Sequence, residues 1–343
     1  MSDAEISAAR LLLARLGVSP EELLAAPSAA RESMPLIRDY VERVSDAVPA
    51  GTRRVYGTYW RRIVEVWGDR RIDEPTPLEI KQLAEDVRHR VVVRKNSRGG
   101  RTAAEHLIAA LRCLYQHAIA DELLSENDNP AKRVAKPRRL ASTRRAIPDT
   151  RLAEINHAAG TTGNDPDLDL LLLRLHTETA CRRGGALALR RQDLDPDQCL
   201  IRLREKGETV RWQPVSPTLM RHLISHHEQR GNGDPSAQLL RYDNGQPITA
   251  RRYDHLWQRI GKQLPWVAIQ QVSTHWLRHT TLTWVERNFG YAVARAYAGH
   301  DGKSDAGTTS TYVRADLAEV ATALAALTGE PHPLASENGT ADK

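Results

Sequence analysis

Residues 130–147, PAKRVAKPRRLASTRRAI, mark where one domain gives way to a second. The stretch holds seven Lys/Arg and no Asp or Glu, shows no apolar periodicity, and contains a proline that limits helix formation. Before it, apolar residues recur at helical spacing. After it, helical patterns surround one pair of alternating segments. A chain of 343 residues is long enough for two domains with separate cores. The expected architecture is mainly α, with a small β-hairpin in the second half. Residues 1–30 form a helical extension, 31–134 a helical domain, 135–147 a basic linker, 148–327 an α+β domain, and 328–343 a polar, disordered tail.

Individual elements follow from periodicity and punctuation. Gly17 and Ser19-Pro20 separate two short helices, Ala4–Leu16 and Pro20–Ala26. The helical domain reads as Ile37–Val48, Thr52–Trp67, Pro77–Val92 and Thr102–Ile119, with a short helix near Asn129–Val134. Asp149–Ala159 and Asp167–Thr179 follow, the latter with Leu on several faces and so expected to be buried. Cys199–Arg204 and Thr209–Pro214 alternate around a Glu-Lys-Gly-Glu turn, the pattern of a hairpin. Helices return at Pro217–Glu228, Ala250–Gln263, Thr274–Asn288, Tyr291–Gly299 and Val313–Leu327.

A net charge of +6 and a pI of about 9.3 favour a polyanionic partner without naming one. Cys113, Cys181 and Cys199 form no CxxC pair, so neither a disulfide framework nor a zinc ribbon is indicated. No leader pattern opens the chain, and no stretch approaches the roughly 18 apolar residues of a membrane span. The expectation is a reduced, cytoplasmic protein with no membrane partner.

The basic residues cluster. Arg53, Arg54, Arg61 and Arg62 fall near one side of the Thr52–Trp67 helix. Arg94, Lys95, Arg98 and Arg101 crowd a glycine-containing loop before the helix at Thr102, and a helix N-terminus fed by such a loop suits phosphate. Lys136, Arg138 and Arg139 continue the charge into the linker. Any single arginine among them is more often an ordinary solvated surface charge, and the linker run alone suits a solvated tether as well as a DNA contact. Two basic elements and a basic linker together point to DNA.

His275-Trp276-Leu277-Arg278-His279 is the most informative short string. With Ser273 or Thr274 as a cap, His275 and Arg278 share a helix face at i,i+3. His275 and His279 stand at the i,i+4 spacing of a zinc pair, but Trp follows His275 where a metalloprotease has its Glu, and no third ligand is evident. A satisfied pair of core histidines is the commoner outcome.

The string also resembles the His-x-x-Arg box of tyrosine site-specific recombinases of the phage-integrase type. Thr179-Ala180-Cys181-Arg182-Arg183-Gly184-Gly185-Ala186-Leu187 resembles their first arginine box, Lys206 lies in the hairpin turn where the family has a lysine, and Ala298-Gly299-His300 looks like the family's Leu-Gly-His element. Thr308-Thr309-Ser310-Thr311-Tyr312 matches the nucleophile segment. The match runs in order over about 148–327, and the preceding helices resemble the family's core-binding domain. Two positions depart from the pattern. Gly185 stands where the family has an acid that helps hold the arginine, so support for Arg182 must come from elsewhere, and the spacing from His300 to Tyr312 is about three residues longer than usual.

The resemblance implies a site of Arg182, Lys206, His275, Arg278 and His300 with Tyr312 as nucleophile, no metal and no cofactor. It implies double-stranded DNA as partner and a homo-oligomer on it, a tetramer of two dimers, with the C-terminal helix docked on a neighbour. The apolar stripe Val313, Leu317, Val320, Leu324 and Leu327 suits either that docking or packing at home. The chemistry is coherent: two guanidiniums can neutralise both non-bridging oxygens of a phosphodiester. A phenol of pKa about 10 needs a base, His275, and the 5′-oxygen needs a proton donor, Lys206. A type IB topoisomerase-like enzyme and a DNA-binding regulator without catalysis are the alternatives.

Overall fold

The computed structural model describes residues 3–17, 19, 34–90, 100–138, 145–204, 210–299 and 316–335. The chain divides into two compact units, Met1–Ala141 and Ser142–Lys343, with the boundary inside the basic stretch.

In the first unit, the described residues form α1 (Asp3–Leu16), α2 (Ile37–Ala47), α3 (Ala50–Trp67), α4 (Pro77–Arg90) and α5 (Arg101–Ala120). On α2 the buried residues are Ile37, Tyr40, Val41 and Val44, the i,i+3,i+4,i+7 stripe of an amphipathic helix. It packs on Trp60, Ile63 and Trp67 of α3 and on Leu107, Leu111 and Leu114 of α5. Each fully buried Leu or Ile contributes about 1.5–3 kcal/mol. Trp60 donates its indole N–H to the Ala110 carbonyl at 3.1 Å, so its burial leaves no unmet donor. A capping box starts α4: Thr76 Oγ1 accepts from the Glu79 N–H, and Glu79 accepts from the Thr76 N–H at 2.8 Å. Gly100, just before α5, sits at φ +72, where a Cβ would collide with the backbone of Arg88. The helix expected near Asn129–Val134 is instead a turn following a 3₁₀ segment at Glu126–Asp128. Asn129 Oδ1 takes the N–H groups of Ala131 and Lys132, and Arg112 binds the carbonyls of Ala131 and Val134 that a helix would have used.

The second unit contains α6 (Asp149–Thr161), α7 (Pro166–Thr179), the short α8 (Arg183–Leu187), β1 (Leu194–Asp195), β2 (Leu200–Arg204), β3 (Val210–Pro214), α9 (Pro217–Arg230), α10 (Ala250–Gln263), α11 (Pro265–Gln270), α12 (Thr274–Tyr297) and α13 (Leu317–Thr328). The hairpin gains β1 as a third antiparallel strand, in the order β1-β2-β3. Two residues are too few to show alternation, which is why the sequence pattern passes over β1. The helices expected on either side of Gly290 form one element with a break at that glycine, which sits at φ +83. α7 is central: Leu168, Leu171, Leu172 and Leu175 pack on the sheet and α9, while Leu173 joins the cluster of α6, α10 and α12.

Within the C-terminal stripe, Val320 and Leu324 pack at home in the single chain, and Val313 lies outside the described residues. Val320 and Leu324 of α13 are buried with Val285, Val293 and Tyr297 of α12, so a second copy would have to displace or extend this contact. Order also continues past Thr328, where a disordered tail is expected. Glu330 accepts from Arg174 at 2.7 Å and from the Thr218 N–H at 3.0 Å, and the buried His332 lies 3.2 Å from the Cys199 carbonyl. Gly, Pro and Ser mark this stretch as irregular, but two polar side chains with partners are enough to fix an irregular strap.

Candidate active site

Asp165 starts α7 by accepting from the Leu168 N–H, with Pro166 at the first helical position. The helix ends at Ala180 in the left-handed conformation (φ +49). Helix C-termini leave carbonyls without intrahelical partners, and here side chains from distant elements supply donors. Thr281 Oγ1 donates to the Thr177 carbonyl at 2.6 Å, the Tyr297 hydroxyl to Glu178, and Arg278 Nη1 to Ala180. Arg211 Nη2 makes a long 3.5 Å contact with the Thr179 carbonyl, and His176 Nδ1 lies 3.1 Å from that of Cys181. Five consecutive carbonyls leading to Arg182 are therefore each met by a side chain. The Glu178 carboxylate, also buried, takes the Ser216 N–H at 2.9 Å and Arg174 at 2.6 Å. With Gly185 in place of an acid, the backbone that delivers Arg182 is held from the residues before it.

Arg182 and His275 come together. Both line a concavity of about 650 Å³ with Cys181, Arg183, Gly184, Tyr253, Asp254, Trp257, Ser273 and Thr274. Arg183 pairs with Asp254 of α10 at 3.2 Å. Ser273 precedes α12 without a side-chain cap bond, and the Thr274 hydroxyl is taken by Trp257 Nε1 at 2.9 Å, so neither acts as the expected cap. His275 is exposed at the mouth, whereas Arg278, one turn on, is only 5% exposed. Arg278 bridges the Ala180 carbonyl and the Ala298 carbonyl, the latter at 2.8 Å. Those carbonyls end α7 and α12, where the helix dipoles favour a cation. His275 and His279 meet edge to face, ring centroids 5.2 Å apart. Among the described residues no group of three or more His, Cys, Asp or Glu is placed to hold a metal ion. Lys206, His300 and Tyr312 lie outside the described residues.

Sequence reasoning missed His176, Tyr253 and Arg211. His176 Nε2 lies 3.0 Å from the Tyr253 hydroxyl, and burial pushes that phenol well above its ordinary pKa. The apolar run around His176 hides it. Arg211, by contrast, leaves a visible sign: a cation at an inward position of β3.

In the first unit the candidate DNA contacts separate. Arg61 and Arg62 line a groove of about 980 Å³ with Arg90, Tyr59 and His106, none of the last three singled out by the sequence. Arg62 also pairs with Glu65 at 3.0 Å. Arg53 turns toward the Asp46 carbonyl, and neither it nor Arg54 lines the groove. Arg101, Lys136 and Arg138 are exposed, and Arg94, Lys95, Arg98 and Arg139 lie outside the described residues.

Comparisons with known proteins agree on the second unit. The chain is similar to the tyrosine recombinase XerC of Chlamydia caviae, 29% identical over 154 residues that cover 43% of this chain and 47% of that protein. The match therefore spans about half of the relative's length. Two solved structures share the fold. A lambda integrase tetramer bound to a Holliday junction superposes with a TM-score of 0.60 at 14% identity, covering 90% of this chain and 91% of that one. The Tn1549 transposon integrase in complex with circular intermediate DNA gives 0.60 at 17% identity, covering 81% and 98%. The family model described as "Phage integrase family" matches residues 146–319, just over half of the chain, and the chain belongs to that family.

Proposed function

We infer that the chain is a site-specific DNA recombinase that cuts and rejoins duplex DNA through a 3′-phosphotyrosine intermediate, in DNA integration, excision or resolution. The observation that carries this reading is Arg182 and His275 facing one open concavity, with Arg278 gripped by two helix ends behind it. Arg182 and Arg278 neutralise the non-bridging oxygens of the scissile phosphate as charge builds in the transition state. The Tyr312 phenol oxygen attacks phosphorus, passing its proton to His275, while the 5′-oxygen leaves with a proton from Lys206. His300 hydrogen-bonds the phosphate. One phosphate ester is exchanged for another, so the free 5′-hydroxyl can reverse the step without ATP.

The first unit tracks the DNA backbone. Arg61, Arg62 and Arg90 meet phosphates from their groove, and the exposed Arg101, Lys136 and Arg138 add further positive charge. The tetrameric, junction-bound state of lambda integrase supports a tetramer of two dimers on paired sites. No helix among the described residues is long and apolar enough to cross a membrane, and a DNA substrate fits a cytoplasmic protein.

The test uses a nicked duplex carrying the site that the chain itself enriches from a random-sequence pool, without metal or ATP. A covalent protein–DNA adduct that disappears in Tyr312→Phe is the expected result. A bound duplex with no adduct overturns the reading, and on a supercoiled plasmid carrying the same site, relaxation without two-site exchange would make the chain a topoisomerase instead.

A further inference from the structure

β3 is built inside out. Its register against β2 pairs Arg211 with Leu203 and Gln213 with Ile201, so these two polar residues share the face that buries Ile201 and Leu203. Val210 and Trp212 point the other way and are 56% and 43% exposed. A strand with one buried face ordinarily puts its apolar residues inside, and turning a guanidinium inward carries a desolvation cost. Such a local reversal is expected where the inward group has a task.

The surroundings of Arg211 define that task. Gln213 Oε1 accepts from Nη1 and holds the guanidinium in place. Nη2 reaches the Thr179 carbonyl. The Cδ and Nε atoms lie so close to Gly299 (φ +67) that a Cβ there would overlap them. Its charge also faces Tyr297, opposing the burial that pushes that phenol up. Arg278 spans the adjacent residues, Ala180 and Ala298. The two arginines therefore join the end of α7 to the end of α12 at successive positions, Thr179–Ala180 on one side and Ala298–Gly299 on the other.

We propose that Arg211 is a positioning residue for DNA cleavage, holding these two helix ends at the separation that seats Arg278 and aims Arg182 into the concavity. The role rests on the recombinase reading above. It does not require Arg211 to touch DNA.

The test compares Arg211→Gln with wild type on the enriched nicked duplex, carrying either an ordinary scissile phosphate or a methylphosphonate that lacks one charged oxygen. On the phosphate, single-turnover cleavage should fall about 100-fold while the Kd for DNA stays within about threefold. On the methylphosphonate the loss should shrink to about tenfold or less, because the arginines that Arg211 seats have less charge to neutralise. If Arg211→Gln does not fold, Arg211→Lys is measured by the same two criteria. A variant that cleaves like wild type, one whose loss follows its DNA affinity, or one equally impaired on both duplexes overturns the positioning role. A wild-type chain that binds the duplexes and cleaves neither overturns the recombinase reading, and the positioning role with it.

Discussion

The turn at the end of α7 and the groove of the first unit both present arginines, but they hold them differently. At the turn, five successive carbonyls are met by side chains, four of them from distant segments and the fifth from His176 of α7 itself, and Arg278 is buried between two helix ends. In the groove, Arg61 is exposed and reaches Thr58 on its own helix at 3.3 Å, and Arg62 pairs with Glu65 one turn away. Transition-state charge falls at one place and rewards donors fixed in advance. A polyanionic backbone offers charge everywhere and tolerates slack. On the function proposed above, the same residue type would serve geometry in one unit and charge in the other.

Arg278→Ala should give the largest effect. We expect single-turnover cleavage to fall by about 10²–10³-fold with little change in DNA affinity, since a preorganised donor is removed from the transition state. An equal drop in affinity would erase the contrast between the units. Tyr297→Phe comes next, because it leaves the buried Glu178 carbonyl without its donor. A destabilisation of about 1–3 kcal/mol is expected in urea unfolding of the second unit, and no change there would mean the turn is not held as described.

The paired change Arg61→Ala and Arg62→Ala should behave in the opposite way to Arg278→Ala. Affinity should drop several-fold, and the slope of log K against log salt should shrink by about 0.9 for each phosphate no longer neutralised. Cleavage at saturating DNA should hold. A fall in the saturated rate would show that the groove, too, supplies geometry.

The smallest effect expected is a difference in acid sensitivity. His226 in the second unit accepts the Arg241 N–H at 3.1 Å, and burial lowers its pKa from 6.5 to about 4. The unfolded chain takes this proton first, so the stabilisation is complete above pH 6.5 and is lost as pH falls toward 4. Glu79 in the first unit is lowered from 4.5 to about 2, first by its hydrogen bond with Arg70. Its contribution is present above pH 4.5 and is lost only as pH falls toward 2. Hydrogen exchange followed against pH should therefore show the second unit loosening first, and His226→Gln should narrow the gap.

Much of this was legible in the sequence, and what was not has physical causes. Long helices such as α3, α5 and α10 announce themselves through apolar periodicity. The motif boxes pointed to Arg182, His275 and Arg278 as candidates because the spacing within each box is local. What holds those residues is not local: Thr281, Tyr297 and Arg211 reach the α7 turn across 104, 119 and 32 residues of chain. No spacing rule records such partners. The groove residues Arg90 and His106 were hidden for the same reason, since they come from α4 and α5 while the basic pattern runs along α3. Asn129–Val134 failed differently, through an Asn that folds back on its own backbone in a window that otherwise reads as helical.

The most direct measurement is the identity of the residue that carries DNA in the trapped adduct. Digesting the covalent complex with protease and nuclease and sequencing the modified peptide by mass spectrometry should find a 3′-phosphonucleotide on Tyr312. Attachment at any other residue, or an adduct that persists in Tyr312→Phe, would contradict the account.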